Sequence, residues 1–427
     1  MNRPILALPL VLFLVAFPSA GSAQVRGTAM GNLVTVISDG PFDTARNPAL
    51  LALQPADHAA AAFVRYRAVD DSDIDYNSSL PISVGEPSTF NAGGVVSYSM
   101  KLSGSVLGFV FGEMAGDLVS YRESRNTFYA ITEEIEKEKI FEVNPSLAVA
   151  LALPLTDGSS IGFQLITAVG YKRADKTKDY LSGPIIASLD TQKTDQSLSA
   201  RAGFGYSLRT PKTQAGFLLR SGTITLRKQE LEYNHVEYDL AAPEISGSNS
   251  TPYKAYYTES PQFVVGGYHR LSPLVGFALE AAYMLSNTSY NRERDLTTSV
   301  LDGGSDSITP FSRNFTITTD ASMQFKGGIE FNVMEGLAFT FGTGYDYRES
   351  SQESETIGRV SIRSKMEILY ATLGAHYSLN QATGISVLVS GGRLKMDAKL
   401  EQESLYSIDI DSTIMIVDAG IAITTRY

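Results

Sequence analysis

The sequence contains no cysteine among its 427 residues, which excludes disulfide bonds and metal sites built from thiolates. It also contains no tryptophan. Its four histidines show no zinc-site spacing and are His58, His235, His269 and His376. The formal net charge of −11 argues against nucleic acid as a partner. We therefore expect no metal, no cofactor and no nucleic acid to be bound.

The start of the chain is typical of a secretory signal peptide. Arg3 supplies a positive charge, Pro4–Phe17 is an apolar run, and Pro18–Ala23 is rich in small residues that suit cleavage before Gln24. The alternative is a membrane anchor, but the apolar run is shorter than the roughly 20 residues that a spanning helix needs. We expect residues 1–23 to be removed. No later run is apolar enough to cross a membrane as a helix.

The end of the chain has the pattern of a strand in contact with lipid. Every second residue from Met415 to Tyr427 is apolar or small, and the last residue is aromatic. Bacterial outer-membrane barrels have such lipid-facing strands, with aromatic residues at the membrane interface. This pattern predicts a location in the bacterial outer membrane, surrounded by its lipids. It also predicts that the C-terminal strand is the segment engaged by the barrel assembly machinery.

The rest of the chain alternates between apolar and polar residues with period two, which indicates strands with two unlike faces. Short turns rich in Gly, Pro, Asn and Asp are predicted at Leu102–Ser105, Pro154–Ser160, Thr210–Thr213, Leu271–Leu274, Met334–Gly336 and Asn380–Gly384. Long polar stretches, interpreted as loops, occupy Asp70–Thr89, Arg122–Lys139, Asp175–Asp195, Gln229–Ser260, Asn287–Ser312, Glu349–Gly358 and Asp397–Ser407. Together these connections predict an all-β fold: a transmembrane antiparallel β-barrel of about 14 strands over residues 58–427.

Residues Gln24–Pro55 do not alternate and are rich in small and turn-forming residues. A barrel of this width would otherwise enclose an open channel. We therefore expect residues 24–57 to fold back into the lumen as an N-terminal plug, called the hatch below. Asn47-Pro48-Ala49 has two compatible interpretations. Asn47 can cap the apolar run that follows Pro48, or the same corner can hold the hatch against the barrel wall.

The hatch carries a resemblance to a known family. The segment Arg26–Asn32, the pair Ser38-Asp39 and the motif Asn47-Pro48-Ala49-Leu50 resemble the N-terminal hatch of the FadL-type outer-membrane transporters. Those proteins carry long-chain fatty acids and other hydrophobic compounds through a plugged barrel of fourteen strands. The resemblance implies passive uptake of hydrophobic small molecules, most directly long-chain fatty acids. It also implies a kinked third strand that opens the wall, for which Gly112 and Gly116 are candidates.

The glycines of the third strand have a simpler interpretation. They recur at four-residue spacing as Gly104, Gly108, Gly112 and Gly116. Glycine in a strand often marks a bulge, a bend or a close neighbour. Their role can therefore be to leave room for the hatch or for aromatic side chains.

A second apolar face on the last strands points to a ligand site. If the odd-numbered residues from Met415 onward face lipid, an apolar set faces the lumen, although a porin lumen should be polar. We expect these residues to line an apolar ligand pocket: Ile362, Met366, Ile368, Ile408, Ile410, Ile414 and Ile416. The alternative is packing against the hatch, or a bulge that reverses the alternation.

Charged candidates for the lumen are Lys172, Arg201, Glu280, Lys326, Glu330, Asp346 and Arg348. Such charges pair with each other or with the hatch more often than with a ligand.

The sequence favours a channel over an enzyme. Gly158-Ser159-Ser160-Ile161-Gly162 matches the G-x-S-x-G pattern, but it falls in a predicted hairpin turn and not between a strand and a helix. The alternatives to a channel for hydrophobic compounds are a FadL-like barrel serving as a scaffold or shuttle of a secretion system, a general porin, and an outer-membrane hydrolase.

Overall fold

The protein was analysed as a computed structural model. It describes residues 26–426 apart from 39, 55, 78–81, 84–87, 114–118, 129–131, 157, 183–184, 239–244, 254–259, 299–307, 355–359, 381 and 403–405. The predicted signal peptide, the last residue and Gly116 therefore lie outside the described residues. The side chains of Ile408 and Ile410 are not described either.

The described chain is almost entirely strand. In chain order the strands are β1 His58–Asn77, β2 Ile82–Ser83, β3 Ser88–Leu102, β4 Ser105–Glu113, β5 Val119–Phe128, β6 Thr132–Val143, β7 Pro145–Thr156, β8 Ser159–Ser182, β9 Ile185–Arg209, β10 Thr213–Arg220, β11 Ile224–Tyr238, β12 Ile245–Tyr253, β13 Gln262–Arg270, β14 Val275–Met284, β15 Asn287–Thr298, β16 Ile308–Thr319, β17 Ser322–Met334, β18 Leu337–Ser354, β19 Val360–Ser378, β20 Thr383–Gln402 and β21 Tyr406–Arg426. Before them come the short helix α1 Arg26–Ala29 and two 3-10 helices, Gly40–Ala45 and Pro48–Leu53. None of the described residues forms a helix long and apolar enough to cross a membrane.

Fourteen of these strands pair antiparallel into a closed ring, as predicted. The ring runs in the order β1, β3, β4, β7, β8, β9, β10, β13, β14, β17, β18, β19, β20 and β21. Pairing of β1 with β21, in the register Ala59↔Arg426, closes it. The six predicted short turns all lie at one end of the ring, which we call the short-turn end. Both ends of the barrel chain lie there too.

The other end, the long-hairpin end, differs from the prediction. The long polar stretches were expected to be loops, but where they are described they are mostly strand. For example, β8 and β9 pair without interruption up to Ser182↔Ile185, and β5 pairs with β6 through Phe128↔Thr132. Above the lipid both faces of a hairpin meet water, so the sequence loses its alternation while the backbone pairing continues. This is why the polar sequence alone did not indicate strands.

The two faces of the ring follow the predicted alternation on the last strand. Met415 and Val417 are 49% and 53% exposed on the outer face, whereas Ala422 is only 1% exposed. Ala422 packs with Ala29 of α1 and with Leu388 of β20, so the even-numbered residues of β21 face inward. The other strands also expose large apolar side chains outward, among them Leu165, Leu279, Phe325, Phe341 and Leu373. These side chains form the apolar band that a lipid bilayer requires.

Candidate functional site

The hatch, residues 26–54 as described, contacts opposite sides of the ring. Helix α1 contacts β18, β19 and β20, while the 3-10 helix Pro48–Leu53 contacts β4, β7, β8 and β9. A segment that touches both sides of a closed ring lies within it. Met30, Leu33, Leu50 and Leu51 are completely buried there. The barrel residues that they meet lie near the short-turn end, so the hatch occupies that half of the lumen.

Glu280 of β14 is the main polar anchor of the hatch. Its Oε2 accepts hydrogen bonds from Val34 N at 2.8 Å, Thr35 N at 2.8 Å and Thr35 Oγ1 at 2.7 Å. Lys326 of β17 lies 3.6 Å from the same carboxylate and donates to Asn32 O of the hatch. Glu280 is 4% exposed, so its charge is balanced by these donors and not by water.

A second group of wall residues holds the first turn of the hatch. Glu330 of β17 pairs with Arg26. On β19, Thr372 Oγ1 donates to Ala29 O at 2.7 Å and accepts from Gly31 N at 3.1 Å, while Tyr370 OH donates to Gly31 O at 3.0 Å. The predicted lumen charges Glu280, Lys326 and Glu330 are thus engaged with the hatch.

Arg46 ties the two halves of the hatch together. Its guanidinium donates to Leu33 O, and Arg220 of β10 donates to Arg46 O at 3.0 Å and to Ala45 O at 2.9 Å. Burial lowers the pKa of Arg46, which lies outside the spanning strands, to about 10, and the nearby Glu280 carboxylate opposes that shift. The group remains charged at neutral pH and is held among carbonyl oxygens.

Asn47 contacts both the 3-10 helix that follows it and the barrel wall. Its Oδ1 accepts from Ala49 N at 3.2 Å and so caps the 3-10 helix that begins at Pro48. Its Nδ2 donates to Thr35 O at 3.0 Å and lies 3.4 and 3.5 Å from the carbonyl oxygens of Tyr206 and Phe217 in the wall. Asn47 has no exposed surface. The wall also holds this corner through Ser160 Oγ, which donates to Ala49 O at 2.8 Å.

The candidate ligand residues whose side chains are described lie on the inward face of the long-hairpin half, beyond the hatch. Tyr370 contacts the hatch, and Ile368 is the next inward residue toward the long hairpins. In register, Ile368 of β19 pairs with Leu394 of β20, which pairs with Ile414 of β21. We call these three residues, with Ile362, Met366, Met396 and Ile416, the apolar wall. Each of these side chains is half-buried.

Leu394 and Met396 were missed from the sequence, although the signal was present. On β20 they alternate with Arg393 and Lys395, which are exposed on the outer face. The same inverted pattern gave Ile362, Met366 and Ile368, which alternate with exposed Arg363, Lys365 and Glu367. Because charged residues lie on the outer face here, this part of the ring extends beyond the lipid. Because apolar residues lie on the inner face, the lumen at this level is apolar on one side.

The apolar wall is bordered by polar residues on the β18 side. Asp346 of β18, paired in register with Ile368, is 7% exposed. It accepts from Gln324 Nε2 at 2.7 Å and from Arg348 Nη2 at 2.7 Å. The lumen above the hatch therefore offers an apolar surface with one charge-balanced polar edge, the usual composition of a small-ligand site.

Next to Gly112 the described pairing between β3 and β4 ends. Strand β4 pairs with β3 up to Val95↔Gly112, and β5 resumes the pairing at Phe90↔Val119. Within the described residues, 91–94 of β3 pair on that side with no strand. Gly112 has φ = +142°, and a Cβ built there would lie 2.2 Å from Gly94 O, so glycine is required. Gly108 instead packs over Thr44 of the hatch, which matches the simpler interpretation of these glycines.

The sequence placed the G-x-S-x-G match in a hairpin turn, but Ser159 and Ser160 already belong to strand β8. Gly158 is in the turn before β8, and Ser160 donates to the hatch as described above. Ser159 Oγ lies 2.6 Å from Thr156 Oγ1 in the same hairpin. No group of three His, Asp or Glu side chains that could hold a metal occurs in the part of the chain that the structure describes.

Comparison with solved structures identifies the fold. A FadL homologue from Pseudomonas aeruginosa matches with a TM-score of 0.57 at 12% identity, over 95% of this chain and 99% of that chain. The Pseudomonas putida toluene transporter TodX matches with a TM-score of 0.61 at 10% identity, over 96% and 100%. The Ralstonia pickettii toluene transporter TbuX matches with a TM-score of 0.56 at 13% identity, over 96% and 100%.

This chain has the FadL-type fold. At 10–13% identity the likeness extends to the fold alone. No family model matches the sequence, and no curated protein matches it either.

Proposed function

We propose that this protein is a channel of the bacterial outer membrane for passive uptake of hydrophobic small molecules. The observation that carries the proposal is the apolar wall: inward-facing Ile368, Leu394 and Ile414 in adjacent register on three strands. Within the described residues these side chains face inward, away from lipid and beyond the hatch contact of Tyr370, so an apolar ligand is the partner that their burial would favour. The solved structures that share the fold are described as a FadL homologue and as toluene transporters, which supports this class of substrate.

Within that class we propose long-chain fatty acids. An acyl chain would lie along the apolar wall and lose its contact with water, which contributes about 0.8 kcal/mol per buried methylene. A general porin is disfavoured because the hatch contacts opposite sides of the ring, which supports a plug in the short-turn half of the lumen. Outer-membrane lipids would surround the apolar band, and the barrel assembly machinery would engage β21.

The route that we propose begins at the long-hairpin end. The substrate binds the apolar wall, the hatch shifts, and the substrate leaves either toward the periplasm or sideways through the wall beside Gly112, between β3 and β4. Gly112 supports the sideways exit because it has a positive φ, +142°, at the last described pair between β3 and β4. Gly116 remains a candidate from the sequence.

Titration of oleate tests the apolar wall. The double variant Ile414→Ala, Ile416→Ala should bind oleate at least about tenfold more weakly, a change of 1.4 kcal/mol that a few lost methylene contacts supply. The control is Met415→Ala, Val417→Ala on the outer face of the same strand, which should bind oleate as the unaltered protein does. Equal affinities for all three proteins would show that these isoleucines do not line the substrate site.

A further inference from the structure

A cavity lies at the short-turn end of the barrel, on the side of the hatch that faces away from the apolar wall. It has a volume of about 350 Å³. Its walls come from the hatch, from the turn between β9 and β10, from the end of β13 and from the ends of β1 and β21. Those strands lie on opposite sides of the ring, so the cavity extends across the mouth of the barrel. Its size falls within the usual range for small-ligand sites, roughly 300–1,000 Å³.

Among its described lining residues this cavity carries charge of one sign, although the whole chain is acidic. Arg209, Lys212, Arg270 and Arg426 line it, and none of the described lining residues is an acid. The further cation Arg26 is paired with Glu330. No ion pair joins the other four to any acid within the described part of the chain. Like charges brought together without acids attract an anion into the space between them.

Two buried donors at the same cavity lack partners. Gln54, which is 8% exposed, uses Oε1 to accept from Ser99 Oγ at 2.5 Å, but its Nε2 has no hydrogen-bond partner among the described residues. The hydroxyl of Tyr268 is also buried and unpartnered there. A buried donor without an acceptor is costly, so unsatisfied donors beside a cluster of cations indicate a missing acceptor.

The hatch supplies the apolar side of this cavity. On the hatch side the cavity is lined by Val36, Ile37, Pro41 and Leu53, of which the first three are buried. A ligand that fits both sides has an anionic head, which accepts hydrogen bonds, and a short apolar chain. We propose that this basic cavity binds an anionic amphiphile, specifically a carboxylate with a short aliphatic chain. The head lies among Arg209, Lys212 and Arg270, and the chain lies against the hatch.

This site is separate from the apolar wall, because the hatch lies between them. Its binding can therefore be measured whether or not the channel conducts. The probe is octanoate, titrated into the full-length barrel in lipid nanodiscs, with 1-octanol as a neutral ligand of matched chain length. Arginine and lysine favour carboxylates over hydroxyls because their hydrogen bonds to them are charge-assisted. Octanoate should thus bind at least about tenfold more tightly than octanol.

The decisive variant is Arg209→Gln, Arg270→Gln. Both side chains are exposed at turns or strand ends, so the barrel should assemble with unchanged heat resistance. Octanoate binding should weaken at least about tenfold, whereas octanol binding should not change. The matched control is Lys101→Gln, a cation at the same end that is paired with Asp57 at 3.5 Å and does not line the cavity. It should bind octanoate normally.

Three results would overturn the proposal. The first is equal binding of octanoate and octanol, which would indicate apolar partitioning. The second is an equal loss in Lys101→Gln, which would indicate general surface charge. The third is a loss in Ile414→Ala, Ile416→Ala but not in Arg209→Gln, Arg270→Gln, which would place octanoate at the apolar wall. Failure of oleate to bind at the apolar wall would refute the proposed substrate site and leave the basic cavity standing.

Discussion

Thr35 of the hatch gives both of its hydrogen-bond donors, the backbone N–H and the hydroxyl, to one carboxylate oxygen of Glu280, at 2.8 and 2.7 Å. The two residues are 245 positions apart in the chain. Neither residue has access to bulk water, so the carboxylate depends on the hatch and the hatch depends on the carboxylate. This contact makes the position of the hatch sensitive to a single wall residue.

Replacing Glu280 with Gln should loosen the hatch. The change removes the charge that balances buried Lys326, and removing one partner of a buried ion pair typically costs about 3–5 kcal/mol. We expect higher single-channel conductance in planar bilayers and faster proteolysis of the hatch. The control Glu335→Gln, at an exposed turn, should behave as the unaltered protein does. Conductance that stays at the wild-type level would show that Glu280 does not hold the hatch closed.

Asn47→Asp separates the two roles of Asn47. Aspartate caps a helix as well as asparagine does, so the bond from Ala49 N would be kept. The donor to Thr35 O would be lost, and a negative charge would face the carbonyl oxygens of Thr35, Tyr206 and Phe217. We expect a loss of about 1–3 kcal/mol of stability, measured as the midpoint of thermal or denaturant unfolding. A variant as stable as the natural protein would mean that only the cap matters.

Ile421→Arg should impair assembly. Ile421 lies on the outer face of β21 between Val64 and Val387 of the neighbouring strands. An arginine that faces lipid near the middle of the bilayer costs about 2–4 kcal/mol in barrels of this type. Thr413→Arg, higher on the same strand, is the depth control and should cost only about 0–1 kcal/mol. The measurement is folded yield and heat resistance on gels, and equal values for the two variants would contradict the assigned outer face.

Gly112→Ala should reduce uptake if substrate leaves through the wall. The new Cβ would collide with Gly94 O, so β3 and β4 would have to pair differently at this position. The control is Gly104→Ala. Gly104 also has a positive φ, +78°, but a Cβ there meets nothing within 4 Å, so this variant carries the backbone strain alone. Uptake of radiolabelled oleate by cells is the measurement. Equal uptake by the two variants would remove Gly112 from the exit route.

The sequence predicted the barrel because each turn and each strand face depends on nearby residues. The six short turns have glycine, proline and asparagine at the required places, and the alternation from Met415 onward predicted the faces of β21. The extra strands at the long-hairpin end were missed because polar residues on both faces carry no alternation. Pairing between strands such as β5 and β6 is visible only in the backbone.

The candidate site was predicted less completely. The alternation of inward and outward residues along the strands predicted Ile368 and Ile414 as inward-facing. Leu394 lies between them in register but was overlooked, although the charged residues Arg393 and Lys395 flank it in the same inverted pattern. The bonds between Glu280 and Thr35 could not be predicted, since nothing local relates residues so distant in the chain. The basic cavity was missed for the same reason: Arg209 and Arg426 come together only when the ring closes.

The pairing of Ala59 with Arg426 also sets an order of events during biogenesis. The hatch is made first, yet its wall partners extend to Ala422, near the end of the chain. The seam between β1 and β21 cannot form until the last strand has been synthesised, so the ring stays open throughout translation. Contacts between such distant residues form slowly. The packing of the hatch against the wall and the closure of the seam both depend on β21, so the hatch can complete its contacts only in the last step of barrel closure.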